Sequence, residues 1–175
     1  MRIAQVSPLT EPVPPELYGG TERVISWLTE ELVALRHDVP LFASGDSVTS
    51  ARLEPMWPWA LRLDGSVRDP NALHTMMVEQ VCRRAKDFDL LHFHLDYYPC
   101  SVMSRQAVPF VTMHGRLDLP EHKPVFSTFS SIPLVSIPMR SGVRYQTQNG
   151  SVRFITDCRR TCSRRSRQYP LTLRF

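Results

Sequence analysis

No apolar run in this sequence approaches the roughly 18 residues that a membrane helix needs, so an integral membrane segment is not expected. The N-terminus, Met-Arg-Ile-Ala-Gln-Val-Ser-Pro, has one positive charge and a very short apolar stretch. It lacks the longer apolar region and small-residue cleavage site of a secretory signal. A soluble, cytoplasmic protein is the expectation. Cysteine is scarce, with four residues at Cys82, Cys100, Cys158 and Cys162. None make a Cys-x-x-Cys pair, and Cys158 and Cys162 have no second ligand pair nearby, so neither a disulfide framework nor a zinc site is expected. There is no Gly-x-Ser-x-Gly, no Walker lysine and no Gly-x-Gly-x-x-Gly. Serine-hydrolase, P-loop and dinucleotide-binding readings therefore have no support.

The chain has 175 residues, 42% of them hydrophobic, which is enough for one domain with a real core. Its net charge of +4 averages two unlike parts. Residues 1–137 hold 12 Lys/Arg against 16 Asp/Glu. Residues 138–175 hold nine Arg, no Lys and a single acid, Asp157. The question of nucleic acid raised by a basic chain thus applies to the tail alone. There aromatics are sparse and no binding motif occurs, so no nucleic-acid partner is expected.

Arg2–Val6 reads as a first strand, stopped by Ser7-Pro8. Thr10–Tyr18, with Pro12, Pro14 and Pro15, reads as a loop. Val24, Leu28, Leu32 and Leu35 recur at helical spacing, with Glu22, Arg23, Glu30 and Glu31 off that stripe. This predicts a helix capped by Gly20 or Thr21. Val39–Ala43 is a second strand, and Arg52–Asp69 reads as an irregular stretch packing Trp57 and Trp59. Asn71–Lys86 is a second helix, with Leu73, Met76, Met77, Val81 and Ala85 on its apolar side. Asp89–His94 is a third strand, Tyr97–Gln106 a short helix, Pro109–Met113 a fourth strand and Leu134–Ile137 a fifth. Alternating strands and helices predict an α/β fold: a Rossmann-like, doubly wound parallel sheet with helices on both faces.

Ligands of open α/β sheets bind beyond the carboxyl ends of the strands, and three polar features fall there. The first is Tyr18-Gly19-Gly20-Thr21. Its glycines let backbone approach a ligand, and the helix start offers free N–H groups to an anion such as phosphate. The plain structural reading is a tight turn that needs positive φ. The second is His92-Phe93-His94-Leu95-Asp96. Residues two apart on a strand share a face, so both imidazoles can point the same way. Read as metal chemistry, His92, His94 and Asp96 suggest a metal-dependent hydrolase. Read as structure, one histidine is buried and hydrogen-bonded and the other stands at the loop mouth. The third is Thr112-Met113-His114-Gly115-Arg116-Leu117-Asp118, where His114 can hydrogen-bond a sugar hydroxyl or phosphate, or simply cap a turn.

In series these segments resemble the N-terminal domain of family 4 glycosyltransferases. The resemblance rests on Met-Arg-Ile-Ala-Gln-Val-Ser-Pro, Tyr-Gly-Gly-Thr-Glu-Arg-Val, Leu-Thr-Glu-Glu-Leu-Val-Ala-Leu-x-His-Asp-Val, Asp-Leu-Leu-His-Phe-His and Thr-Met-His-Gly-Arg-Leu-Asp, and covers most of residues 1–137. It implies half of a GT-B architecture, in which two Rossmann-like domains face each other across a cleft. Such enzymes usually retain anomeric configuration and need no catalytic metal. The resemblance implies no cofactor: an NDP-sugar is the co-substrate, and that sugar nucleotide and an acceptor are the partners. It also implies that Gly19, Gly20 and Thr21 approach the phosphate and acceptor region. By the same resemblance His94 and Asp96 line the cleft, and His114 contacts the transferred sugar near the reacting centre. The family's second domain holds the nucleotide.

Two positions depart from the family pattern. Arg36 stands where a glycine usually follows the first helix; a non-glycine in a left-handed conformation there costs on the order of 1 kcal/mol. Pro40 falls inside the second strand, where it removes a backbone donor. After Ile137 the resemblance stops. Yet when the last base of each codon is read with the first two of the next, Pro138–Ser141 can give Asp-Ala-Gln. In the same shifted frame Arg153–Arg159 can give Val-Tyr-His-Gly-Leu-Pro. Both are segments with which the family continues. Residues 138–175 therefore read as an out-of-frame tail, the alternative being a genuine solvated basic extension. Only 38 residues follow Ile137, fewer than the roughly 50 of a domain, so no nucleotide-holding domain is expected in this sequence. The chain is thus expected to be the acceptor-side domain of a glycosyltransferase, inactive alone. The alternatives are a non-catalytic fragment or pseudoenzyme that keeps a sugar- or phosphate-binding cleft, and the metal-dependent hydrolase.

Overall fold

The computed structural model describes residues 1–62, 64–114 and 119–136. Gly115, Arg116, Asp118, Ile137 and the tail 138–175 lie outside the described residues. The strands are β1 (Ile3–Val6), β2 (Pro40–Ser44), β3 (Arg52–Trp57), β4 (Leu90–Phe93), β5 (Phe110–His114) and β6 (Leu134–Ser136). The helices are α1 (Gly20–Ala34), α2 (Pro70–Arg83), α3 (Cys100–Met103) and α4 (His122–Thr128), with a 3-10 turn at Ala85–Asp87. All strand pairs are parallel, and the order is β3-β2-β1-β4-β5-β6. The expected doubly wound α/β sheet is therefore present.

Alternation along the strands divides the core in two. Leu41 and Ala43 pack with Ile25 of α1 on one face. Ala4, Val6, Phe42, Leu91 and Phe93 pack with Met77, Val78 and Val81 of α2 on the other. Phe88 and Phe110 add edge-to-face contacts to Phe42 and Phe93. Each fully buried Phe or Leu contributes about 1.5–3 kcal/mol of transfer free energy, so these two layers dominate stability.

Several local expectations need correction. The N-cap of α1 is Gly19, and Gly20 and Thr21 are already helical. Its deepest line is Glu22, Ile25 and Thr29 rather than the Val24–Leu28–Leu32–Leu35 stripe. The helix rolls so that this line faces the sheet; Val24, Leu28 and Leu32 flank it half-buried, and Leu35 is exposed. Pro40 opens β2 instead of interrupting it, a position where a strand tolerates proline. Arg52–Trp57, the first part of the stretch expected to be irregular, is a strand. β3 sits at the sheet edge, which accommodates Pro55, and Glu54 pairs there with Arg52 and Arg84. α2 begins at Pro70, with Asp69 accepting from the Asn71 backbone N–H, and it buries His74, Met77, Val78 and Val81 while Met76 is exposed. The helix expected over Tyr97–Gln106 shortens to α3, and α4 was not anticipated.

Candidate functional site

β1 leads through α1 to β2 on one side, whereas β4 leads through α3 to β5 on the other. The chain therefore reverses direction between β1 and β4, which opens a crevice beyond their carboxyl ends. Gly19-Gly20 starts the helix that follows β1, His92-x-His94 closes β4, and His114 closes β5. Three segments far apart in sequence thus reach one edge of three neighbouring strands.

The β1–α1 loop is tied along that edge. Leu9 N–H donates to His74 Nε2 at 3.1 Å, Val13 N–H to Ser47 Oγ at 2.9 Å, and Val48 N–H to the Val13 carbonyl at 2.8 Å. Leu61 and Arg62 N–H groups donate to the Leu9 and Thr10 carbonyls. Arg62 also forms an ion pair with buried Glu11. At the loop's end Gly19 has φ 172°, an extended conformation, so the expected positive-φ turn is absent there. Glycine is needed for space instead: a Cβ on residue 19 would lie 2.7 Å from Pro15 Cβ and 2.9 Å from a Glu22 carboxylate oxygen. A Cβ on Gly20 would meet nothing within 4 Å. Glu22 is buried in the first turn of α1, and burial, reinforced by Glu11, raises its carboxyl above the ordinary range.

At the crevice the two histidines do share a face, with ring centroids 4.2 Å apart. Gln5 of β1, fully buried and in register with His92, bridges them. His94 Nε2 donates to Gln5 Oε1 at 2.7 Å, and the Gln5 amide nitrogen donates to His92 Nδ1 at 3.5 Å. On this assignment both rings are neutral and carry their proton on Nε2. Burial pushes His92 down to about 4, and pushes His94 well below the usual range with a smaller contribution from His92. Enclosed His92 Nε2 and His94 Nδ1 have no hydrogen-bond partner.

Asp96 adopts a left-handed φ of 49°, tolerated by aspartate, and its carbonyl accepts from Thr112 Oγ1 of β5 at 2.6 Å. His114 closes β5 in register with Ser136. Among the described residues no group of three or more His, Cys, Asp or Glu is placed to hold a metal ion. The metal-dependent hydrolase built on His92, His94 and Asp96 lacks its ligand set for that reason, and Gln5 already takes one ring nitrogen of each histidine. Among the described residues no helix is long and apolar enough to cross a membrane.

Sequence reading missed Gln5, Glu22 and His74. A polar residue inside Ile3-Ala4-Gln5-Val6 was the available signal for Gln5, since a buried amide must find partners.

No family model matches the chain, and no curated protein matches it by sequence. Solved structures that resemble it include AviGT4 and MurG. AviGT4, a glycosyltransferase involved in avilamycin A biosynthesis, is 23% identical over 66% of this chain and 32% of its own, with a TM-score of 0.42. MurG of Acinetobacter baumannii is 9% identical over 83% of this chain and 43% of its own, with a TM-score of 0.47. The chain thus spans less than half the length of either. The parallel order β3-β2-β1-β4-β5-β6 by itself defines the doubly wound sheet.

Proposed function

We propose that residues 1–137 form the acceptor-side domain of a retaining glycosyltransferase of family 4 type, which uses an NDP-sugar. The observation that carries this reading is the convergence of Gly19-Gly20, His92-x-His94 and His114 on the carboxyl ends of β1, β4 and β5. The motif series quoted for the resemblance supplies the family; the sheet order supplies the common edge.

Each residue has a role in this reading. His114, at the mouth of β5, contacts the transferred sugar near the reacting centre. Orientation of the acceptor hydroxyl against that sugar contributes much of the rate. Gly20, with open space around it, admits the ligand to the start of α1. The carboxylate of Glu22 already occupies the first turn there. An acceptor hydroxyl, which can donate to a carboxylate, suits this corner better than a second anion. Stabilisation of the departing diphosphate then falls to basic residues or backbone donors of a nucleotide-holding domain. His94 and Asp96 shape the wall between these two positions, with Gln5 fixing the first and Thr112 the second. The tail 138–175, in this proposal, is the out-of-frame remnant of the passage into that second domain.

Release of nucleoside diphosphate from UDP-, GDP- and ADP-sugars tests the reading. The 175-residue chain is expected to release none. A polypeptide with the shifted frame restored after codon 137 is expected to turn over one of them, and His114→Ala in that longer chain to lower turnover about 100-fold or more. Turnover by the 175-residue chain, or full activity of the His114→Ala variant, contradicts the assignment.

A further inference from the structure

We propose that Tyr97 is the stacking platform for a pyranose ring of the acceptor; this rests on the glycosyltransferase reading above. Tyr97 lies four residues beyond the end of β4, on the side of the switch crevice, and is 40% exposed. Its exposure is not that of a loose surface side chain. Its ring lies parallel to Tyr98, with centroids 5.5 Å apart and planes 5° apart. Tyr98 is itself held: its hydroxyl donates to Asn71 Oδ1 of α2 at 2.6 Å, and its ring meets His74 at 5.8 Å. His122, the first residue of α4, approaches Tyr97 at 5.6 Å and 60° and meets Phe126 at 6.0 Å. The preceding residue, Asp96, is pinned to β5 through Thr112. Two helices and a strand therefore hold one exposed aromatic ring in place, and binding gains from an anchor that needs no ordering.

The chemistry selects the guest. An aromatic face carries negative quadrupolar charge and attracts the weakly positive C–H face of a sugar, leaving the sugar hydroxyls free for polar neighbours. A nucleobase also stacks, but it brings phosphates. Among the described residues, Asp96 and Asp69 bring negative charge toward Tyr98. A neutral saccharide carries no charge to oppose them, whereas the phosphates of a nucleotide do.

Saturation-transfer NMR on the full 175-residue chain, with methyl α-pyranosides of glucose, mannose and galactose and with UMP as probes, decides the matter. Transfer to the ring C–H protons of at least one pyranoside is expected. Tyr97→Ala should weaken that binding about tenfold, and Tyr97→Phe should leave it within about twofold. Melting curves of both variants check that the fold is kept. Pyranoside binding unchanged in Tyr97→Ala, or lost equally in Tyr97→Phe, overturns the platform while leaving the sugar cleft standing. Binding of UMP but no pyranoside at Tyr97 also overturns it. If the wild-type chain binds no pyranoside at all, the acceptor-domain reading falls, and the platform falls with it.

Discussion

A single amide, that of Gln5, meets two imidazoles at the centre of the sheet. Its oxygen accepts from His94 Nε2 and its nitrogen donates to His92 Nδ1, so His92 must stay neutral for the pair of hydrogen bonds to persist, while burial keeps His94 neutral as well. His74 is under a similar constraint, because Nε2 accepts from the Leu9 N–H while Nδ1 donates to the Pro70 carbonyl. Burial lowers all three below the ordinary value of 6.5, His92 to about 4. A depressed histidine leaves stability whole above about pH 6.5. As pH falls below that, the unfolded chain takes up protons that the fold refuses, and stability is lost on the way toward pH 4. Glu22 works in the opposite sense: its raised carboxyl favours the fold at acid pH and loses that contribution as pH rises through its folded value. Thermal melts of Glu22→Gln, which removes the opposing group, are expected to show Tm falling steadily from pH 7 to pH 4.5. A flat Tm across that range would contradict the buried neutral cluster. The sequence announced the histidine pair through its alternating spacing, but not its bridging partner. Gln5 lies 87 residues from His92 in the chain, and only parallel pairing of β1 with β4 brings them together.

Among the elements, α1 shows most plainly what local pattern can and cannot reveal. Its end was legible. Arg36 has φ 64°, the His37 N–H reaches the Leu32 carbonyl and the Arg36 N–H reaches that of Val33, a Schellman closure of the helix. A side chain in that conformation is strained, so Arg36→Gly is expected to stabilise the domain by about 1 kcal/mol. Chemical denaturation would measure it; an unchanged or lower midpoint would contradict the strain. The buried face was less legible, because Val24, Leu28 and Leu32 fit a helical stripe nearly as well as Ile25 and Thr29 do. Tertiary packing, not periodicity, decided between them. β3 was illegible for a different reason. Arg52, Glu54 and Pro55 spoil its apolar pattern, yet an edge strand needs only one neighbour and can carry charges and proline.

For the whole molecule the fold class followed from the alternation of elements, while the strand order did not. That order is what turns three weak motifs into one edge. The reading of the tail belongs to the same scale. The nucleotide sequence across codons 130–175 is expected to spell Asp-Ala-Gln and Val-Tyr-His-Gly-Leu-Pro in one shifted frame. A gene in which neither appears contradicts the lost-frame proposal. Beneath both lies the claim that Gly19-Gly20, His94 and His114 serve one sugar-binding edge. Backbone amide shifts of the full chain, recorded while a methyl pyranoside is added, test it most directly. The account predicts that Gly19, Gly20, His94 and His114 move together while Cys82, in the last turn of α2, and Lys86, in the 3-10 turn after it, stay still. Shifts confined to Cys82 and Lys86, or no concerted movement of the four, would contradict it.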